Sequence, residues 1–147
     1  MDEQSVSPRR GLILIWPILI LKIIAFVTTI YSIFIMVTGQ FSLPMGSPVA
    51  MVDFFDAFGW IDHTTNFIVA SSGLAGALAL IFRKKVALPL FIGGFVLGVF
   101  LGIYQMTFNN FFEALGMRGV VGWILGTLVV LAIVFYTRML VKRDLLT

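Results

Sequence analysis

Five side chains in this sequence have the chemistry of metal ligands. They are the acidic and imidazole residues in two segments between apolar runs: Asp53, Asp56, Asp62, His63 and Glu113. Carboxylates and imidazole bind divalent cations. The chain has 1 His, so no second imidazole stands three or four residues away, and the signal for a metal site is weak. We therefore predict no metal site and keep these five residues as weak candidates.

One basic residue, Lys22, lies within the longest apolar run of the chain. A charged side chain is costly inside a bilayer, so its position needs an explanation. The long alkyl stem could snorkel back to the cytoplasmic headgroups, which is the alternative that we favour. In the other alternative, the ammonium lines a pocket and contacts an anionic headgroup or a solute, with Ser72 as a second contact residue.

Motifs for enzymatic chemistry are missing from the sequence. It contains no phosphate-binding loop, no nucleophile elbow and no H-E-x-x-H pair. It also contains no cysteine, which excludes disulfides, thiolate metal sites and a cysteine nucleophile. We predict that the protein is not an enzyme and needs no cofactor.

The composition is that of an integral membrane protein. Of the 147 residues 60% are hydrophobic and 12% are charged, and the mean hydropathy is +1.07, whereas soluble domains are about half apolar and about a quarter charged. Four runs approach or exceed the roughly 20 residues that a spanning helix needs. We predict an all-α bundle of four transmembrane helices in one domain, 11–140. Its spans cover about 11–37, 66–82, 86–106 and 120–136, with outer loops 38–65 and 107–119 and cytoplasmic tails 1–10 and 141–147.

The charges predict the orientation of the bundle. Eight of the ten basic residues flank the spans on one side: Arg9, Arg10, Arg83, Lys84, Lys85, Arg138, Lys142 and Arg143. By the positive-inside rule both termini are cytoplasmic and the acidic loops lie outside. The basic pI of about 9.6 follows from this topology and needs no nucleic-acid partner.

The first outer loop contains a predicted short amphipathic helix. Met51, Phe54, Phe55 and Phe58 recur at helical spacing, and Gly59 would end the helix. The segment 54–60 also aligns with 111–117, with four identities. Duplicated hairpins would explain this repeat. Convergence would also explain it, because interfacial helices favour such residues, and we place convergence slightly ahead.

Small residues at four-residue spacing predict close helix packing. They form rows on three spans: Ser72 with Gly76 and Gly73 with Ala77, then Gly94, Gly98 and Gly102, then Gly122 and Gly126. Such rows let a neighbouring backbone approach closely. We favour packing within the chain over a seam between two copies.

The segment 72–91 reads SGLAGALALIFRKKVALPLF. It resembles the central part of a family of small bacterial inner-membrane proteins that are often named sugar transporters. The resemblance implies four spans, a helix in the first outer loop and a place in the bacterial inner membrane. It covers the second and third spans, and the chain departs from it in the first span, where Leu21-Lys22 replaces an expected Trp-Asn pair. The family has no established site, so the resemblance assigns no functional residue.

Two functions remain open at this stage. The predicted spans contain no carboxylate, which argues against a proton-coupled carrier. The glycine rows favour an accessory or scaffolding subunit that packs against a membrane-protein partner or against itself within the lipid bilayer. The alternative is a small-solute, sugar-like transporter that acts as a homo-oligomer.

Overall fold

A computed structural model describes residues 12–45 and 47–147. Within them the chain forms five helices and no strand: α1 (Ile15–Val37), α2 (Val49–Asp56), α3 (Trp60–Ile81), α4 (Ala87–Phe108) and α5 (Phe111–Lys142). The predicted tail 1–10, with Arg9 and Arg10, and the predicted start of the first span at Gly11 lie outside the described residues.

Four of the helices, α1, α3, α4 and α5, are long and apolar enough to cross a membrane. This confirms the predicted all-α four-helix bundle with a short helix in the first loop. The helices extend beyond the hydropathic runs, since α3 begins at Trp60 and α5 begins at Phe111. Hydropathy detects the apolar part of a helix, whereas backbone hydrogen bonding continues into its polar ends.

Both copies of the phenylalanine-rich repeat form a short helix followed by a glycine. Gly59 is the N-cap of α3, and its amide donates to the carboxylate of Asp62. Gly116 has φ 60° and ψ −160° and interrupts α5, a backbone conformation that is nearly restricted to glycine. The two copies therefore share a local structure of short helix, glycine and long helix.

The long helices pack in the order α1, α3, α4, α5. Helices α1 and α5 stand at the two ends of this order and share a buried cluster towards the basic end, which includes Ile18 and Ile133. A groove lies between them, lined by residues such as Pro17 and Leu21 of α1 and Val129 and Ala132 of α5.

One end of the bundle carries the basic α3–α4 turn, Arg83 to Lys85, and we call it the basic end. The main hydrophobic core lies there and includes Leu80, Phe91 and Leu140. The predicted C-terminal tail packs on this end, because Leu146 is buried and the Lys85 amide donates to the Thr147 carbonyl (2.9 Å). The opposite end carries α2 and is called the acidic end.

Candidate functional site

A cavity of about 280 Å³ lies between the four long helices, and we call it the Lys22 cavity. It is bounded by Lys22, Val69, Gly73, Phe91, Gly94, Phe95, Gly98, Val99, Trp123, Gly126, Thr127 and Val130. Glycines form part of three of its walls. Because they have no side chain, they leave open space where larger residues would fill the bundle.

Lys22 reaches into this cavity from α1. A Cβ atom on Gly73 would lie 3.3 Å from Lys22 Cδ, so the lysine stem crosses α3 at a position where only a small residue fits easily. Its Nζ lies 6.0 Å from the centre of the Phe91 ring, within the range of a cation–π contact. These contacts place the Lys22 side chain against α3 and α4, where it lines the cavity.

Lys22 is the charged residue of the cavity wall, and the rest of the wall is mainly apolar. Within residues 12–45 and 47–147 no carboxylate forms an ion pair with its ammonium. A charge in such surroundings is usually paired. The Lys22 cavity is therefore chemically suited to a ligand that carries a negative charge.

Ser72, the second predicted contact residue, does not line the cavity. Its hydroxyl donates to the Val69 carbonyl (2.9 Å). The hydroxyl also occupies the space that a Cβ on Gly94 would need. The structure thus places Ser72 in the contact between α3 and α4.

The predicted packing glycines differ in their surroundings. A Cβ on Gly76 would meet the Phe91 ring at 3.0 Å, one on Gly98 would lie 3.7 Å from Val69, and one on Gly102 would overlap the Trp123 indole. In contrast, Gly122 and Gly126 have no such atom within 4 Å. The rows on α3 and α4 therefore pack within the chain, whereas on α5 Gly126 borders the Lys22 cavity and Gly122 has open space beside it.

A second cavity, of about 320 Å³, lies towards the acidic end, and we call it the roofed cavity. Its roof is formed by α2 and the start of α5, where the Phe54 and Phe111 rings meet edge to face with their centres 5.6 Å apart. Its polar wall consists of Thr28, Thr29, Ser32, His63, Asn66 and Gln105. The sequence did not reveal this cavity, although the Phe54–Phe111 repeat marks its roof.

Asp62, one of the weak metal candidates, is 3% exposed. Its carboxylate accepts hydrogen bonds from the Gly59 amide (3.1 Å) and from Gln105 Nε2 (3.2 Å). The bond to Gln105 ties α3 to α4 and was not predicted. An acid three residues after a helix N-cap is the local signal for the first bond, whereas nothing local indicates the second.

The five metal candidates are not gathered in one place. Asp53, Asp56 and Glu113 are exposed, and the His63 ring centre lies 6.2 Å from that of Phe58. In the described part of the chain, no three acidic or histidine side chains lie close enough together to hold a metal ion.

Comparison with known proteins identifies no family for this chain. No protein-family model, curated protein or solved structure matches it. The chain is a polytopic membrane protein with four candidate spanning helices, and the function proposed below is based on the Lys22 cavity and the roofed cavity.

Proposed function

We propose that the protein is a small-solute carrier whose ligand binds in the Lys22 cavity. The observation that carries this proposal is the ammonium of Lys22, which lines a cavity between four spanning helices without a carboxylate partner in the described residues. A protein that only scaffolds has no use for such a charge, which is costly in an apolar bundle. The resemblance of segment 72–91 to proteins named as transporters points the same way.

The roofed cavity adds support. It lies beyond the Lys22 cavity along the bundle, since its walls use Asn66 of α3 and Gln105 of α4, whereas the Lys22 cavity uses Val69 and Gly98 of the same helices. Two cavities in series under a cover of aromatic side chains are an arrangement that can hold a solute and restrict its exit.

The proposed orientation in the membrane follows from the distribution of basic residues. The excess of lysine and arginine at the basic end supports a cytoplasmic position for that end and for both termini. The resemblance supports the bacterial inner membrane. No catalytic step is part of the proposal.

Native mass spectrometry of protein extracted gently from its host tests the carrier function. Gly126 lines the Lys22 cavity and a Cβ there would meet no atom within 4 Å, so the side chain of Gly126→Leu should occupy part of the cavity. Gly122→Leu is the matched control, because Gly122 is equally open but does not line the cavity. We expect a bound small molecule in the wild type and in Gly122→Leu, and its loss in Gly126→Leu. A wild type without any bound molecule would contradict the proposal.

An accessory or scaffolding role is the second candidate. The open space beside Gly122 of α5 favours it, because no neighbouring atom of the described chain lies within 4 Å of a Cβ built at this residue. The same experiment separates the two functions. A protein partner, or a second copy, that is lost in Gly122→Leu would support the accessory role.

A further inference from the structure

We propose that the ligand of the Lys22 cavity is an amphiphilic anion, an acidic headgroup on an acyl-like chain, which reaches the cavity sideways from the bilayer between α1 and α5. This inference rests on the proposed function and assigns the chemical class of the ligand and its route of access.

The cavity wall has a small polar part and a large apolar part, as such a molecule requires. Lys22 supplies one positive charge and Thr127 one hydroxyl, although that hydroxyl already donates to the Trp123 carbonyl (2.8 Å). The remaining wall consists of glycines and of valine, phenylalanine and tryptophan side chains. A strongly polar solute would lose its hydration there without replacement hydrogen bonds. An anion with an apolar body would instead pair its charge with Lys22 and place its apolar part against the valine, phenylalanine and tryptophan side chains.

The volume limits the size of the ligand. A cavity of about 280 Å³ is near the lower end of the roughly 300–1,000 Å³ typical of small-molecule sites. It therefore holds one headgroup and one chain segment rather than a whole two-chain phospholipid. Lys22 also lies seven residues beyond the start of α1 at Ile15, which is about 10 Å of helix. A headgroup that contacts it must enter below the level of the helix ends.

The route follows from the packing order of the helices. Helices α1 and α5 share a buried cluster at the basic end, and beyond it the groove between them is lined by Leu21 and Val129. These residues are the chain neighbours of Lys22 and Val130, which line the cavity. The groove therefore lies beside the cavity, and its apolar walls suit the passage of an acyl chain.

Trp123 provides a reporter at the site. Its side chain lines the Lys22 cavity, whereas Trp16 and Trp60, the other two tryptophans, are 64% and 75% exposed. In a Trp16→Phe/Trp60→Phe background, the fluorescence therefore comes from Trp123 alone. A bromine atom quenches tryptophan fluorescence only at short range, so a brominated chain in the cavity lowers the fluorescence of Trp123.

The experiment titrates this protein, in phosphatidylcholine vesicles, with a dibrominated fatty acid and with the matched dibrominated fatty alcohol. We expect the acid to quench Trp123 at about tenfold lower concentration, the effect of one charge-assisted contact. Lys22→Met should abolish this preference and Lys22→Arg should retain it. Lys142→Met, which removes a lysine outside the cavity, should leave the preference unchanged. A dibrominated phosphatidylglycerol arm, set against dibrominated phosphatidylcholine, distinguishes the sources, since stronger quenching by the anionic lipid indicates that the anion comes from a bilayer lipid.

Two contrary results have different meanings. Equal quenching by acid and alcohol in the wild type and in Lys22→Met, with quenching still lost in Gly126→Leu, would overturn the inference about the anion. It would leave a cavity that binds ligands. Identical quenching in Gly126→Leu, Gly122→Leu and the parent protein would show that no ligand occupies the cavity, and the proposed function would fail as well.

Discussion

At the scale of single residues, two charged groups inside the bundle have opposite surroundings. Asp62 is buried and accepts two hydrogen bonds, from a helix N-terminus and from Gln105. Lys22 is half-buried, and no carboxylate pairs with it anywhere in residues 12–45 and 47–147. A satisfied buried charge is explained by its structural contacts, whereas an unsatisfied one calls for a partner from outside the chain. This contrast is why we assign the structural role to Asp62 and the ligand to Lys22.

We expect Asp62→Ala to lower the free energy of unfolding by about 2 kcal/mol, because the Gly59 amide and the Gln105 amide both lose their acceptor. Thermal unfolding in detergent would measure the change. Asp56→Ala removes an exposed acid from the same region and should leave stability within about 0.5 kcal/mol of the wild type. Equal effects of the two substitutions would show that the bonds of Asp62 contribute nothing specific.

At the scale of helices, glycine performs two distinct tasks in this chain. Gly116 allows a sharp change of direction within α5, through a φ of 60°. Gly102 allows close contact between α4 and α5, because the Trp123 indole occupies the space beside it. The first task depends on the backbone and the second on side-chain volume, so different substitutions reveal them.

Gly116→Ala should destabilise the protein by about 2 kcal/mol, since an alanine resists this backbone conformation. Gly122→Ala is the matched control within the same helix, as Gly122 has open space and an ordinary φ. There the alanine should raise stability, by up to about 1 kcal/mol, through its greater helix propensity. Chemical or thermal unfolding measures both changes in stability. An increase in stability in Gly116→Ala would show that residue 116 does not require this backbone conformation.

Gly102→Ala should destabilise the contact between α4 and α5 by about 1–3 kcal/mol, the usual cost of overpacking. Gly93→Ala, in the same helix with nothing near its Cβ, should not. In the double variant Gly102→Ala/Trp123→Leu, the leucine leaves room for the alanine methyl group. The loss of stability should therefore be smaller than the sum of the losses in the two single variants, which a double-mutant cycle detects. Strict additivity would mean that the two residues do not touch.

At the scale of the whole molecule, the bundle is covered at its acidic end and incompletely closed along one side. The cover consists of the two repeat copies, which meet through Phe54 and Phe111. The incomplete closure is the groove between α1 and α5. A ligand from the bilayer would therefore have a lateral path, while the aromatic roof restricts direct passage from the aqueous side.

Phe54→Ala should open the roof. Phe54 is 3% exposed and contacts Phe55, Phe58 and Phe111, and its truncation typically costs about 3–5 kcal/mol in a packed core. Because the chain has no native cysteine, Ser32→Cys places a single thiol in the wall of the roofed cavity. Its labelling by a water-soluble maleimide should become several-fold faster when Phe54→Ala is added.

Phe112→Ala is the control for this experiment, because Phe112 belongs to the same repeat but is 58% exposed. It should leave the labelling rate of the Ser32→Cys thiol unchanged. If Phe54→Ala also leaves that rate unchanged, the aromatic side chains do not close the cavity.

The amino-acid sequence by itself determined the membrane class, the number of spanning helices, the short helix in the first loop and the unequal distribution of charge. These features depend on local composition and on residues close together in the chain, so no knowledge of packing is needed to read them. The positions of Gly59 and Gly116 after the two phenylalanine-rich segments were visible for the same reason.

Only the tertiary structure decided what each of these residues contacts. It brought Asp62 to Gln105, 43 residues away, and Phe54 to Phe111. It placed Lys22 against Gly73 and Phe91. It also separated the row Gly94, Gly98 and Gly102 of α4, which packs within the chain, from Gly122 of α5, which has open space beside it. Identical small-residue spacing has both outcomes because helix rotation and neighbour order, which arise from the combined packing of all four helices, decide which face meets a partner.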